Sequence, residues 1–186
     1  PDLAVVRLGV ISEGLNLSVL QSENAVIIGN IINVLNQMGV EDISTYQYTV
    51  DKNYVFRNDQ RIDQGYIVRN ILEIKVYNME DLGIIIDNAV EFGANYVESI
   101  SFQISNLSTY YQEALNLAIK DGIDKARNIT DEFGFNINFT PRSITEHITP
   151  LEAPRPLFAS RDTIETTPIL PGEGEITANV TLEFIY

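Results

Sequence analysis

Over residues 175–186, EITANVTLEFIY, apolar and polar side chains alternate without a break. Ile176, Ala178, Val180, Leu182, Phe184 and Tyr186 oppose Glu175, Thr177, Asn179, Thr181 and Glu183. A period of two marks a half-buried strand. The same period sets Ala4, Val6, Leu8 and Val10 against Val5, Arg7, Gly9, Ile11 and Glu13 over residues 4–13. In ISTYQYTVDKNYVF it puts Tyr46, Tyr48, Val50, Tyr54 and Phe56 in one phase, and in YVESISFQIS it aligns Ile100, Phe102 and Ile104. In GYIVRNILEIKVYN, residues 65–78, Tyr66, Val68, Leu72, Ile74 and Val76 face one way, interrupted only by Asn70. Arg69, Glu73 and Lys75 face the other way, with Ile67, Ile71 and Tyr77 between them. RSITEHI reads as a further short strand.

Between the strands the period changes to 3.6. Leu20, Ile27, Ile31, Val34, Leu35 and Met38 predict a helix over 18–38, opened by a capping box of Ser18 and Gln21 and closed by Gly39. Asn78 caps a second helix, with Asp81 in its first turn, Leu82, Ile85, Ile86, Ala89 and Phe92 as its stripe and Gly93 at its end. A third runs from Ser108 or Thr109 to Phe133, ended by Gly134, with the stripe Leu115, Ala118, Gly122, Ala126, Ile129 and Phe133. The small residues in its middle predict close contact with a neighbouring element. RNDQRIDQG reads as a turn or hairpin loop, and the proline-rich stretch 149–174 as a long loop.

The order is therefore β-α-β twice, over 4–56 and 65–104, followed by the helix 108–133, the loop 149–174 and the final strand 175–186. The two units predict one α+β domain over 1–186, an antiparallel sheet of split βαβ type with both helices on the same face. A sheet covered on one side shows its other side to water or to another subunit. Arg69, Glu73 and Lys75 belong to that second side.

Charge narrows the partners. The 186 residues carry 26 Asp and Glu against 12 Lys and Arg, a net charge of −14. Such a field repels phosphate backbones and anionic lipid, and the cations are scattered singly rather than in a stripe. Nucleic acid is not an expected partner. The chain has no cysteine, so thiol catalysis, disulfides and zinc–thiolate sites are excluded. No run approaches the ~18 apolar residues of a membrane helix, so no direct membrane span is expected. The sequence shows no signal peptide but starts at Pro1 without Met, which leaves room for a removed export signal.

Candidate chemistry is sparse. His147 is the single histidine and lies on an alternating strand, where a solvated or hydrogen-bonded role fits better than catalysis. There is no G-x-S-x-G elbow, no G-x-G-x-x-G and no phosphate loop. PGEGE, residues 171–175, reads as a turn into the last strand. Asp51, Asn53, Asn58, Asp59 and Asp63 offer oxygen ligands, yet a calcium loop starting at Asp51 wants Gly where Phe56 stands and Glu where Ile62 stands. Asp131 and Glu132 form an acidic helix end, and Asn106 and Asn179 sit in N-x-S/T sequons. No catalytic, cofactor-binding or metal-binding residue is assigned, and no cofactor is expected.

Three stretches together resemble the SIMPL-domain family. The central segment supplies Gly65, Tyr66, Asp81, Leu82, Asp87, Ala89, Gly93, Ala94, Asn95, Ile100, Ser101, Phe102 and Ser105. The third helix supplies Ala114, Ala118, Asp121, Lys125 and Ala126, with Gly122 in place of the usual Ala. The ending PILPGEGEITANVTLEF completes the resemblance, which covers nearly the whole chain. It implies an α+β fold and an exported bacterial envelope protein, periplasmic, outer-membrane or surface-associated, with ring- or channel-like oligomers in some members. No activity or cofactor is established for the family as a class, and the matching residues look structural, so no catalytic residue is carried over. The leading expectation is a non-enzymatic, self-associating envelope protein with a general or stress-related role and an unknown protein partner. The alternative is a small-ligand or peptide binding module using the 149–174 loop.

Overall fold

The computed structural model describes residues 1–58, 60–134, 139–147, 169 and 171–185. The second half of RNDQRIDQG is strand rather than loop. Asn58 is in the turn, left-handed at φ 51°, and Asp59 lies outside the described residues. The result is a long hairpin of β2 (Ile43–Arg57) and β3 (Gln60–Val76). With β1 (Leu3–Gly14) and β4 (Tyr96–Gln103) it forms a four-stranded sheet in the order β2-β3-β1-β4, every neighbouring pair antiparallel. β1 and β2 are thus parallel to each other with β3 between them, and β3 and β4 with β1 between them. This is the split βαβ arrangement.

The crossover helices are α1 (Leu17–Gln37) and α2 (Leu82–Glu91), the latter preceded by a 3₁₀ turn at Met79–Asp81. Asn16, not Ser18, caps α1, its side chain accepting from Val19 N–H. Asn78 caps the 3₁₀ turn by accepting from Glu80 N–H. Both helices end in the same way. Gly39 and Gly93 are left-handed at φ 85° and 108°. The next amide, of Val40 or Ala94, reaches back to the carbonyl of Leu35 or Ala89. This closure satisfies the orphan carbonyls and buries the residue after the glycine.

One face of the sheet packs against both helices. Ala4, Val6, Leu8, Val10, Leu72, Ile74 and Val76 meet Ile28, Ile31, Leu35, Leu82, Ile85, Ile86 and Ala89 in one buried core. The expected stripe of α1 faces the core, with Leu20, Ile31 and Leu35 buried and Ile27 and Val34 packed against it, but Met38 is exposed and Asn24 and Ile28 join the buried set. Periodicity passes over Asn24 because it is polar. The structure buries it because its Nδ2 donates to Val10 O at 3.2 Å and to Ser12 Oγ at 3.1 Å. The face away from the helices is only partly wet. Val5 is buried there, and Ile71 is 0% exposed. Ile71 lies between Glu73 and Arg69 on its own strand and beside Gly9 and Gln47 on its neighbours.

The chain divides into two compact units. Among the described residues the first holds Pro1–Gln103 and the segment ending at Gly172, and the second holds Ile104–Gly134, 139–147 and the stretch after Gly172. The second is built on α3 (Leu107–Phe133) and a pair of antiparallel strands, β5 (Ser143–His147) and β6 (Asn179–Glu183). The alternation over 176–184 holds, with Ile176, Ala178, Val180, Leu182 and Phe184 half-buried and their neighbours exposed, but only Asn179–Glu183 pair as a strand. Gly122 is where the helix and β6 touch: a Cβ there would stand 2.7 Å from Leu182 Cδ1. The close contact predicted from the small residues of α3 is therefore present. Ile129 and Phe133 continue the stripe of α3 but are exposed.

Candidate functional site

On the second face of the first unit's sheet, each charge of the alternating strand has a partner. Arg69 pairs with Asp51 at 2.9 Å, Glu73 with Arg7 at 2.8 Å, and Lys75 with Asp42 at 3.6 Å. Arg7 and Glu73 are directly opposite across β1 and β3. The Arg7 guanidinium also lies 3.7 Å from the centre of the Tyr46 ring, and the Glu73 carboxylate beside it raises its pKa. Solvent screens such half-exposed pairs, so each contributes little to stability. They satisfy one another and leave no charge poised for chemistry.

Tyr46 and Tyr48 do not share a face. The register slips between Thr45 and Gln47, a bulge that places Tyr46 against Arg7 while the Tyr48 hydroxyl accepts from Gln21 Nε2 of α1 at 3.0 Å. The uninterrupted phase read from the sequence breaks there, because strict alternation cannot register an inserted residue.

A cleft of about 460 Å³ opens at the end of the sheet where α1 leads into β2 and β3 leads into α2. Met38, Val40, Val76 and Ile85 give it apolar walls, and Glu41, Asp42, Lys75, Tyr77 and Asp81 give it charge and hydrogen-bonding groups. The Tyr77 hydroxyl donates to Asp42 Oδ2 at 3.0 Å, and this carboxylate raises the phenol's pKa. Asp81 Oδ2 accepts from Asn78 Nδ2 at 2.8 Å. Glu41 has no ion pair among the described residues. Three carboxylates against one ammonium make the cleft acidic.

At the opposite end, β2 and β3 run on alone. β1 last pairs with β3 at Gly14 and Tyr66, whereas β2 and β3 stay paired as far as Arg57 and Gln60. The departure point is a bulge at Gly65, left-handed at φ 94°, where a Cβ would meet Gly14 O at 2.2 Å. Asp63 Oδ1 accepts from Gly65 N–H at 2.7 Å and Oδ2 pairs with Lys52 at 2.9 Å. Lys52 and the Gly65 amide together lower the Asp63 pKa. Beyond this base, Arg61 stacks 3.3 Å from the Tyr54 ring centre, and Phe56 is 72% exposed.

The residues picked from sequence as oxygen ligands are dispersed along this ribbon. Asp51 is paired with Arg69, Asn53 donates to Glu13, Asn58 makes the turn and Asp63 serves the bulge. Among the described residues no cluster of three His, Asp or Glu could hold a metal ion. His147 Nε2 lies 2.9 Å from Thr181 Oγ1, within the β5–β6 pair. Asn106 occupies the N-cap position of α3 without a side-chain capping bond, and Asp131 and Glu132 are exposed at its end. Residues 171–175 are irregular, and most of the 149–174 loop lies outside the described residues. No helix among the described residues is long and apolar enough to cross a membrane. The cleft and the ribbon were not singled out from sequence, because each depends on which elements end side by side.

Comparison with known proteins places the chain in a family. The chain is 24% identical over 200 residues to the 26 kDa periplasmic immunogenic protein of Brucella melitensis, covering 99% of this chain and 78% of that protein. It is 25% identical over 99 residues to the uncharacterized protein YggE of Escherichia coli, covering 53% of this chain and 40% of that one. A solved amidase of the hydantoinase/carbamoylase family from Burkholderia phymatum gives a TM-score of 0.31 at 11% identity, over 62% of this chain and 33% of the amidase, which bears on neither fold nor function. The family model SIMPL, described as "Protein of unknown function (DUF541)", matches residues 1–184, and the chain belongs to that family.

Proposed function

We propose that this chain is an exported cell-envelope protein that acts by associating with copies of itself and catalyses no reaction. The periplasmic relatives support the location. One observation carries the assembly: the β2–β3 ribbon beyond Gly65, with Phe56 and Ile62 exposed on two strands that, among the described residues, no third strand pairs with. A two-stranded ribbon is marginal alone in water and gains stability when its apolar side chains are covered. Repeated contacts of this kind close into rings or channels when the rotation between copies closes. The test is native mass spectrometry and light scattering on the purified full chain across a concentration series. Oligomers are expected, and a strict monomer at the highest concentration removes the assembly.

A second reading, a small-ligand or peptide module, draws on the cleft at Met38–Asp42 and Val76–Ile85 rather than on the 149–174 loop. Thermal stabilisation across a metabolite and peptide panel would favour it, and a flat response would count against it.

A further inference from the structure

We infer that the tip of the β2–β3 ribbon of one copy docks into the acidic cleft of another, joining copies head to tail. This rests on the self-association proposed above and names its two surfaces. Ribbon and cleft lie at opposite ends of the same hairpin. Ile43 adjoins the cleft and Arg57 is at the tip, which at ~3.3 Å per residue separates them by roughly 45 Å. A tip therefore cannot reach the cleft of its own chain.

The two surfaces complement each other in charge. Residues 54–62 carry Arg57 and Arg61 against Asp59, so the tip is net positive in a chain of net charge −14. Arg57 has no ion pair among the described residues, and Arg61 lies on the Tyr54 ring, with the Asp63 carboxylate near enough to feel its charge. The cleft supplies Glu41, Asp42 and Asp81 against Lys75. Met38, exposed at its rim over the buried Val40, Val76 and Ile85, gives the exposed Phe56 an apolar contact that it lacks in its own chain. The contact uses different patches on the two copies, so it is heterologous. Its repetition gives a ring if it closes and a filament if it does not.

The experiment uses three full-length proteins: the unaltered chain, the tip variant R57E/R61E and the cleft variant E41K/D81K. The substituted side chains are exposed, and circular dichroism and melting temperature check that each variant folds. Sedimentation velocity is expected to show each variant alone dissociating at concentrations at least about tenfold higher than the unaltered chain. An equimolar mixture restores assembly, because every junction in it can pair opposite charges. F56A weakens assembly without changing its dependence on salt, whereas assembly of the unaltered chain weakens as salt rises. If the unaltered chain assembles and both charge variants assemble equally well, the contact is wrong while self-association stands. If the variants dissociate but the mixture does not recover, tip and cleft each contact some other surface of the neighbouring copy, and the pairing is overturned. If the unaltered chain never assembles, both proposals fall.

Discussion

The side-chain amide of Asn95 closes two hydrogen bonds onto the main chain of Ile11, its Oδ1 accepting from Ile11 N–H and its Nδ2 donating to Ile11 O, both at 2.8 Å. An amide has the donor and acceptor of a peptide unit, so Asn95 extends the β1–β4 ladder beyond its last backbone pair at Gly9 and Tyr96. Its own N–H donates to Gly9 O at 3.0 Å. The Gly-Ala-Asn segment is thus one device. Gly93 turns the chain out of α2, Ala94 is buried, and Asn95 fixes the entry to β4.

Replacing Asn95 by Ala removes both side-chain bonds and is expected to cost about 1–2 kcal/mol. Asn95→Asp costs at least as much, since a carboxylate has no proton for Ile11 O. Urea unfolding measures this as a lower midpoint with an unchanged slope.

Gly9 pairs with Ile71 of β3, and a Cβ there would clash with Asn70 O and stand 2.8 Å from Ile71 Cα. Both partners are main chain and cannot rotate away. Gly9→Ala should therefore destabilise by about 3 kcal/mol, with the loss visible in both thermal and urea unfolding.

Gly122→Ala tests the opposite case. The Cβ would meet Leu182 Cδ1 at 2.7 Å, but that atom is the end of a flexible side chain. Removing glycine from a helix interior gains about 1 kcal/mol, which outweighs a small shift of Leu182. A modest rise in melting temperature is expected, and a fall would mean that Leu182 is held rigidly.

Asp63 should titrate below the ordinary aspartate pKa of about 3.9, because Lys52 and the Gly65 amide favour its charged form. A depressed folded-state pKa gives stability that is present above the unfolded value and lost as pH falls through the folded one. The base of the ribbon is therefore expected to loosen only in acid below the normal carboxylate range. Carboxyl-detected NMR titration checks this, and Lys52→Met should move the Asp63 midpoint up.

What could be read from the chain, and what could not, follows from the range of the interactions involved. Lys75, Glu73 and Arg69 were placed on one face by alternation, and that placement holds. That Asp42, Arg7 and Asp51 neutralise them depends on strand order, which no local pattern contains. The α1 stripe was drawn past Asn24 because a period of apolar residues omits an amide. Asn24 is buried by virtue of two acceptors on β1. The spacing rule of a capping box points to Ser18 and the Gln21 amide, whereas the helix starts two residues earlier, where Asn16 accepts from Val19 N–H.

Local pattern alone gives the element types, the α+β class, the covered face of the sheet and the glycine-closed helix ends, because side-chain period and positive φ are properties of a few neighbouring residues. It took the folded chain to part Tyr46 from Tyr48 at a bulge, to carry the β2–β3 ribbon past β1, and to line one cleft at the other end of the hairpin with Asp42, Tyr77 and Asp81. Those outcomes depend on register and on which chain ends meet, set by contacts between residues far apart in the sequence.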